Sequence, residues 1–297
     1  MKTVFHLVNR NRKLYFKDKG MFFTSLITPL ILIVLYGTFL EKVYKDSFLS
    51  ALPAGFMIED ALLNGCVRSQ LCSALLAVSC ITVAFCVNLT MVQDKVTGAR
   101  KDFLISPVQP YKLALGYYIA TVINTMLVNL VALGICLLYI GSCGWQLTAG
   151  DIIYLLLDIF ILVLFGTGLS SVICFPLSTQ GQLSAVGTIV SAGYGFICGA
   201  YMPISNFGEG LQKVLSYFPG TYGTAMLKNH AMRGVFEEMH NVGFPNEVVE
   251  GIKAGLDCTP KFRGEVVNIN QMMAVMLATV TILMVIYVLM NRFYKKK

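Results

Sequence analysis

The sequence predicts an all-α membrane protein, on three observations. Hydrophobic residues fill 56% of the 297 positions and charged ones only 13%, against roughly 25% charged in soluble domains. Six apolar stretches each come near the roughly 20 residues that cross a hydrocarbon core of about 30 Å. Nearly all the charge lies between those stretches, which favours one polytopic bundle over soluble domains on linkers, and no low-complexity linker or repeat is visible.

Residues 1–20 have helical periodicity, with Val4, Leu7, Val8 and Tyr15 near one face and Arg10, Lys13 and Lys17 on the other. Such a helix lies in the headgroup plane; a plain basic flank that sets topology fits the same residues. The first span, 21–40, is longer than a signal-peptide core and ends in Glu41-Lys42 without a small-x-small site, so it is expected to stay in the protein. The other spans read as 71–92, 113–140, 152–174, 183–201 and 271–290, with a charged loop at 93–110 and a long segment at 202–270.

An even span count puts both termini on one side. The first twenty residues, the 93–112 loop and the tail hold fourteen Lys and Arg against Asp18, Asp94 and Asp102, whereas 41–70 and 201–270 hold nine basic and eleven acidic residues. Basic flanks resist translocation, so the termini and the charged loop are expected in the cytoplasm. The net charge of +7 then reflects topology and contact with anionic lipid, and no nucleic-acid partner is expected.

In the central loop Val96, Ala99 and Phe103 recur at i, i+3 and i+7 with Leu104 beside them, while Lys95, Arg100, Lys101 and Asp102 point elsewhere. A helix over 96–105, ended by Pro107, would suit docking into a groove on a soluble partner; a solvated loop fits the pattern too. Gly187, Ser191, Gly195 and Gly199 repeat every fourth residue in the fifth span, a seam for close helix packing within one subunit or between two. Ser184, Thr188 and Tyr194 run beside it and could line a cavity. Asp158 is the one acid well inside a span, a functional residue by default or one bonded to a neighbouring hydroxyl or water. With no basic residue expected at its depth, a fixed ion pair is not anticipated.

Beyond the fifth span, Asn206 and Glu209 have capping-box spacing. Phe207, Leu211, Val214, Leu215 and Phe218 continue one apolar face, and Pro219-Gly220 is expected to stop the helix. That helix would rest on the outer leaflet as a lid, followed by a polar stretch over 237–270. Cys72, Cys80, Cys86, Cys136, Cys174 and Cys198 read as small apolar residues of the spans. Cys66, Cys143 and Cys258 would face outward and allow at most one bridge. His230, Glu237, Glu238 and His240 lack the i, i+4 spacing of zinc ligands and read as solvated surface. No Ser/His/Asp, Cys/His or paired-carboxylate array fits within a span, so the chain is not expected to be an enzyme.

Asp94-Lys95-x-x-Gly98, then Phe103-Leu104-Ile105-Ser106-Pro107-Val108 and Lys112-Leu113-x-x-Gly116, resembles the loop between the second and third spans of ABC-2 type permeases. Thr97-Gly98 matches that pattern; Ala99-Arg100-Lys101 departs from its more apolar and acidic run. The order of the whole chain is similar too, with Met202-Pro203, Phe218-Pro219 and Arg233-Gly234 where relatives carry external re-entrant helices.

The resemblance implies a multi-pass permease subunit in the cell membrane, two copies pairing as homo- or heterodimer with two ATPase subunits. The 96–105 segment, with Val96, Ala99, Arg100, Lys101, Phe103 and Leu104, would be the cytoplasmic coupling helix, and the fifth span would help form the dimer and the path. No G-x-x-x-x-G-K-[ST] string is present, so ATP and Mg are expected on the partner ATPase and no cofactor on this chain. Leu177 to Gln182 resembles the ATPase signature Leu-Ser-Gly-Gly-Gln only superficially. The resemblance implies export, and the apolar spans suggest as substrate an amphiphile such as a drug, a hydrophobic peptide or a lipid-linked molecule. An ion-coupled secondary transporter and a membrane scaffold or insertase are the alternatives.

Overall fold

The computed structural model describes residues 2–51, 58–106, 108–142 and 145–293. Pro107, Cys143, Lys295 to Lys297 and the side chain of Leu104 lie outside the described residues.

Helix α1 (Lys2–Lys17) buries Leu7, Asn11 and Tyr15, which recur every fourth residue. The Asp18 carboxylate accepts from Met21 N at 3.0 Å and so caps α2 (Lys19–Leu35), satisfying an amide that a helix start leaves free. The chain then makes a π-helical turn at Tyr36–Leu40 and continues as α3 (Glu41–Ala51). Next come α4 (Asp60–Val96), α5 (Ala99–Ile105), α6 (Pro110–Gly141), α7 (Ala149–Cys174) and α8 (Gln180–Ile197). A 3-10 turn at Ile204–Asn206 leads to α9 (Glu209–Leu215), α10 (Pro219–Asn241) and α11 (Asn246–Gly255). A short antiparallel hairpin, β1 (Lys261–Phe262) with β2 (Glu265–Val266), precedes α12 (Ile269–Phe293).

The centre of the bundle is α4. Its 37 residues pack against α2, α6, α7, α8 and α10, and 94% of its most apolar 18-residue window is buried. Small residues on α4, among them Ala74, Ala77, Ser79, Cys80 and Ala84, permit close approach and alternate with large buried ones such as Leu71, Leu76, Ile81 and Phe85 that fill the space between helices. A side chain at Gly166 of α7 would come within 2.9 Å of the Cys80 carbonyl, so the two backbones nearly touch. The second span therefore starts eleven residues before the expected position 71, at Asp60, because its polar first turns are covered by other helices.

Among the described residues, five segments are long and apolar enough to cross a membrane: Lys19–Asp46, Asp60–Val96, Pro110–Gly141, Ala149–Cys174 and Ile269–Phe293. The expected fifth span, 183–201, is shorter: α8 has 18 residues, about 27 Å at 1.5 Å each, and opens on Gln180-Gly181-Gln182.

Other expectations are corrected. The loop helix is not continuous over 96–105. Val96 closes α4, Gly98 takes a left-handed φ of 85°, and a fresh seven-residue helix starts at Ala99. Asn206 does not cap α9, whose N-cap is Gly208 without a side-chain bond. Pro219 does not stop a helix; it occupies the first turn of α10, where its missing amide costs nothing.

A further correction concerns His230, read as solvated surface: it lies on α10, which packs against α4, α7 and α12. The glycines of α10 permit this: a Cβ at Gly223 would lie 2.6 Å from Leu162 Cδ2, and one at Gly234 would meet the Gln146 carbonyl. Cys66 and Cys258, expected to face outward, are free and buried. Replacing Gly166 with Val should destabilise the protein by about 1–3 kcal/mol through overpacking. The readout is a lowered thermal unfolding midpoint of the purified protein, with Ile173→Leu on the exposed face of α7 as the neutral control.

Candidate functional site

Three features carry chemistry: a charged joint at one end of the bundle, a cleft along its flank, and a set of buried ionisable groups around α10.

At the joint, Arg10 Nη1 donates to Asp94 Oδ2 at 2.6 Å and Nη2 to Oδ1 at 2.8 Å. Tyr117 of α6 donates to the same Oδ2 at 2.5 Å, and the Arg10 guanidinium lies 4.9 Å from the Phe103 ring centre. One buried carboxylate thus fastens α1 to α4 and α6, with α5 held beneath by Phe103. The bond from Asp94 raises the already high pKa of Arg10. Next to it, Lys95 donates to the Phe175 carbonyl and to the Leu177 carbonyl at 3.1 Å, which complements the negative end of α7.

Sequence periodicity puts Arg10 on the polar face of α1, but a two-pronged acceptor turns it inward. It also groups Val96, Ala99 and Phe103 as one docking stripe. The bend at Gly98 breaks that stripe, and Phe103 faces the joint. Lys101, Asp102 and Ile105, the last 85% exposed, are what α5 presents outward. Arg100 is half-buried, 5.5 Å from the Phe175 ring centre.

The cleft has a volume of about 1900 Å³. One wall is α2 with the π-helical turn and α3, the other is α8, and the floor is α4 through Val67, Gln70, Cys86, Leu89 and Gln93. Met202, Pro203 and residues of α11 close one end; Asp18 and Gln180 stand at the other. Ser184, Gly187, Thr188 and Ser191 all line it.

The rest of the small-residue seam lies elsewhere. Tyr201 fills the face of Gly195, so that a Cβ there would sit 2.4 Å from its ring. Gly199 lies beyond α8 with φ 71°, so it cannot extend a helical stripe. Tyr194 is buried against Phe218, ring centres 6.0 Å apart, away from the cleft lining.

Asp158 is also absent from the cleft lining. Its Oδ2 lies 2.6 Å from His230 Nδ1, and His230 stacks on Tyr154 at 4.9 Å between ring centres. Both the solvated reading of His230 and the expectation of no basic partner for Asp158 are corrected: α10 carries the histidine into the bundle beside α7. One turn further, Arg233 bonds Asp151 and Thr148, and Asp151 also caps α7 in a capping box with Thr148.

Lys228 is wholly buried and donates to the Gly199 carbonyl at 2.9 Å and the Leu256 carbonyl at 3.0 Å, with Asp257 Oδ2 at 3.9 Å. Asp257 in turn accepts from the amides of Ile204 and Ser205. Burial raises the Asp257 pKa, Lys228 opposing it. These ties lock the end of α8 and the end of α11 onto α10. The signal for them in the sequence is the charge itself: Lys228 and His230 stand among small and apolar residues.

Long apolar helices gathered on a buried central one define a multi-pass membrane protein. The chain belongs to the ABC-2 family: the family model described as ABC-2 family transporter protein matches residues 64–291. As a member of that family it is a permease component and not a catalytic domain. No curated relative matches the chain.

Arg10→Ala strands a buried carboxylate and should lower stability by about 1–3 kcal/mol. Adding Asp94→Asn should cost less than the sum of the two single changes, a coupling that thermal unfolding of the four proteins of the cycle measures directly.

Proposed function

We propose that the chain is the membrane-spanning subunit of an ATP-driven exporter, with ATP and Mg held by a separate ATPase subunit that docks on α5. The observation that carries this reading is the joint. A seven-residue helix whose exposed face is Lys101, Asp102 and Ile105 is fastened through Phe103, Arg10 and Asp94 to three larger helices. A push on that face would move α1, α4 and α6 as one body. The family membership supports the ATPase partner.

In this reading α8 and the residues up to Tyr201 complete a sixth crossing. Both termini and α5 lie in the cytoplasm, as the basic flanks require, and the cleft is the path for an amphiphilic or hydrophobic substrate. Ser184, Thr188 and Ser191 belong to that path, whereas Tyr194 and Asp158 support it from behind. Gly187 and Ser191 leave the open α8 wall free to meet a second permease copy across the cleft mouth, in a homo- or heterodimer.

The buried Asp158–His230 pair favours one second reading, coupling to a proton gradient, because two titratable groups at bonding distance inside a bundle can exchange a proton.

Reversing the docking face with Lys101→Glu and Ile105→Asp should abolish co-purification of the ATPase. ATP-dependent transport should fall by an order of magnitude or more, about the loss that one or two interface hot spots produce. Full transport by the purified chain with no ATPase present would remove the proposal. Transport that follows a proton gradient and disappears in Asp158→Asn would replace it with the second reading.

A further inference from the structure

The cleft wall has a charge pattern that its apolar character conceals. Among the described residues lining it there is no Lys, Arg or His, although the chain has 23 Lys and Arg and three His. The two ionisable groups of strong charge in the lining are both acids, Asp18 at one end and Glu247 at the other. Of the bases on neighbouring turns, Lys45 and Arg68 pair with Glu41 at 2.9 and 3.4 Å and Lys253 with Glu250 at 2.7 Å, while Lys42 is exposed and outside the lining. Lys17 and Lys19 flank Asp18 in sequence, but neither reaches the lining.

Two of the lining hydroxyls add to the same sign. Thr24 donates its proton to the Gly20 carbonyl at 2.7 Å, and Thr188 donates to the Ser184 carbonyl at 2.9 Å. With their protons spent on their own helices, what these side chains have left is oxygen lone pairs.

Gln70, on the α4 floor, is 1% exposed, and neither atom of its amide has a hydrogen-bond partner. A buried amide without a partner costs about 1–3 kcal/mol, a cost that a polar group brought into the cleft would relieve. Tyr44, Phe48, Phe196 and Tyr201 also line the cleft, and aromatic faces attract cations, most strongly where water is scarce.

From these features we propose that the cleft binds a lipophilic cation, an amphiphile with an ammonium head and an apolar body, and discriminates against the anion of the same shape. The Gln70 carbonyl and the aromatic faces hold the head, and Asp18 and Glu247 make the two ends of the cleft attractive to positive charge. The inference rests on the cleft being the substrate path.

The test uses full-length protein in nanodiscs of phosphatidylcholine, titrated by fluorescence with the primary ammonium dansyl-undecyl-ammonium, whose N–H groups can donate to the Gln70 carbonyl, and with dansyl-undecyl-sulfonate, empty nanodiscs being subtracted. The cation should bind about tenfold more tightly than the sulfonate. Asp18→Asn combined with Glu247→Gln should shrink that ratio to about threefold, and Gln70→Leu should weaken the cation by about threefold to tenfold. Gly187→Trp fills the cleft at a position where a Cβ meets nothing within 4 Å, so it should remove binding of both probes from a protein that still folds.

Equal binding of the two probes, both lost in Gly187→Trp, overturns the charge preference and leaves the cleft as the path. Binding that Gly187→Trp does not touch overturns both. A protein that runs as a dimer and binds neither probe assigns the cleft to a second copy and overturns the proposal as well.

Discussion

The whole structure depends on α4 being buried on every side. A helix in that position must interlock its large side chains, Leu71, Leu76, Ile81 and Phe85 among them, with those of every neighbour, and several of its polar groups bond across to other helices. Asn88 donates to Ser170 at 3.1 Å and to Ser171 at 3.0 Å on α7. Asp94 finds Arg10 and Tyr117. These contacts, together with the close approach at Gly166, make α4 a rod to which the other helices are indexed. The remaining long helices leave large apolar residues exposed along one side, as on α12 with Ile282, Val285 and Val288, a face fit for hydrocarbon.

Helix α10 obeys the same constraint by another route. It brings Lys228, His230 and Arg233 into or against the bundle, and each has a partner: two carbonyls, Asp158 and Asp151. Removing charges from water is costly, and partners offset that cost without making the pairs strong sources of stability. What such pairs do well is to fix register. Successive turns of α10 contact the turn after α8, the middle of α7 and the start of α7, so the helix has one depth at which all three sets of contacts form. Stability and position therefore come from different residues, the glycines setting the distance and the charges setting the height.

The helical class and five of the crossings were legible because hydrophobic length is a local property, and the family through the motif from Asp94 to Gly116. The α5 segment was legible only within a longer helix over 96–105, because periodicity joins Val96 across Gly98 to a helix it does not belong to. Depth was not legible. The low mean hydropathy of α10 does not mark it as buried; the neighbours of its glycines and the partners of Lys228 and His230 do. Arg10 is misread for a related reason: a hydrophobic pattern assigns every charge to water, yet a buried acid 84 residues away redirects it. Of the residues singled out in the fifth span, Ser184, Gly187, Thr188 and Ser191 do line one cleft wall. Gly195, Gly199 and Tyr194 follow the same arithmetic but are taken by contacts within the chain, because α8 ends at Ile197 and the backbone turns back on itself.

The joint and the cleft are not separate devices, since α4 belongs to both. Gln93, which lines the cleft, precedes Asp94, which anchors the joint, and the cleft floor continues up the same helix through Leu89 and Cys86 to Gln70. The two walls are also tied in. Helix α2 follows directly from α1, with Asp18 between them capping one and lining the cleft. The segment leading into α8 is held by Lys95 at Leu177. A displacement of α5 would reach the floor through Asp94, one wall through Arg10 and the other through Lys95. The floor and the α1–α2 wall would move together, so the width of the cleft would depend on how far α8, which packs on α4 and is tied at its far end to α10 through Lys228, follows them.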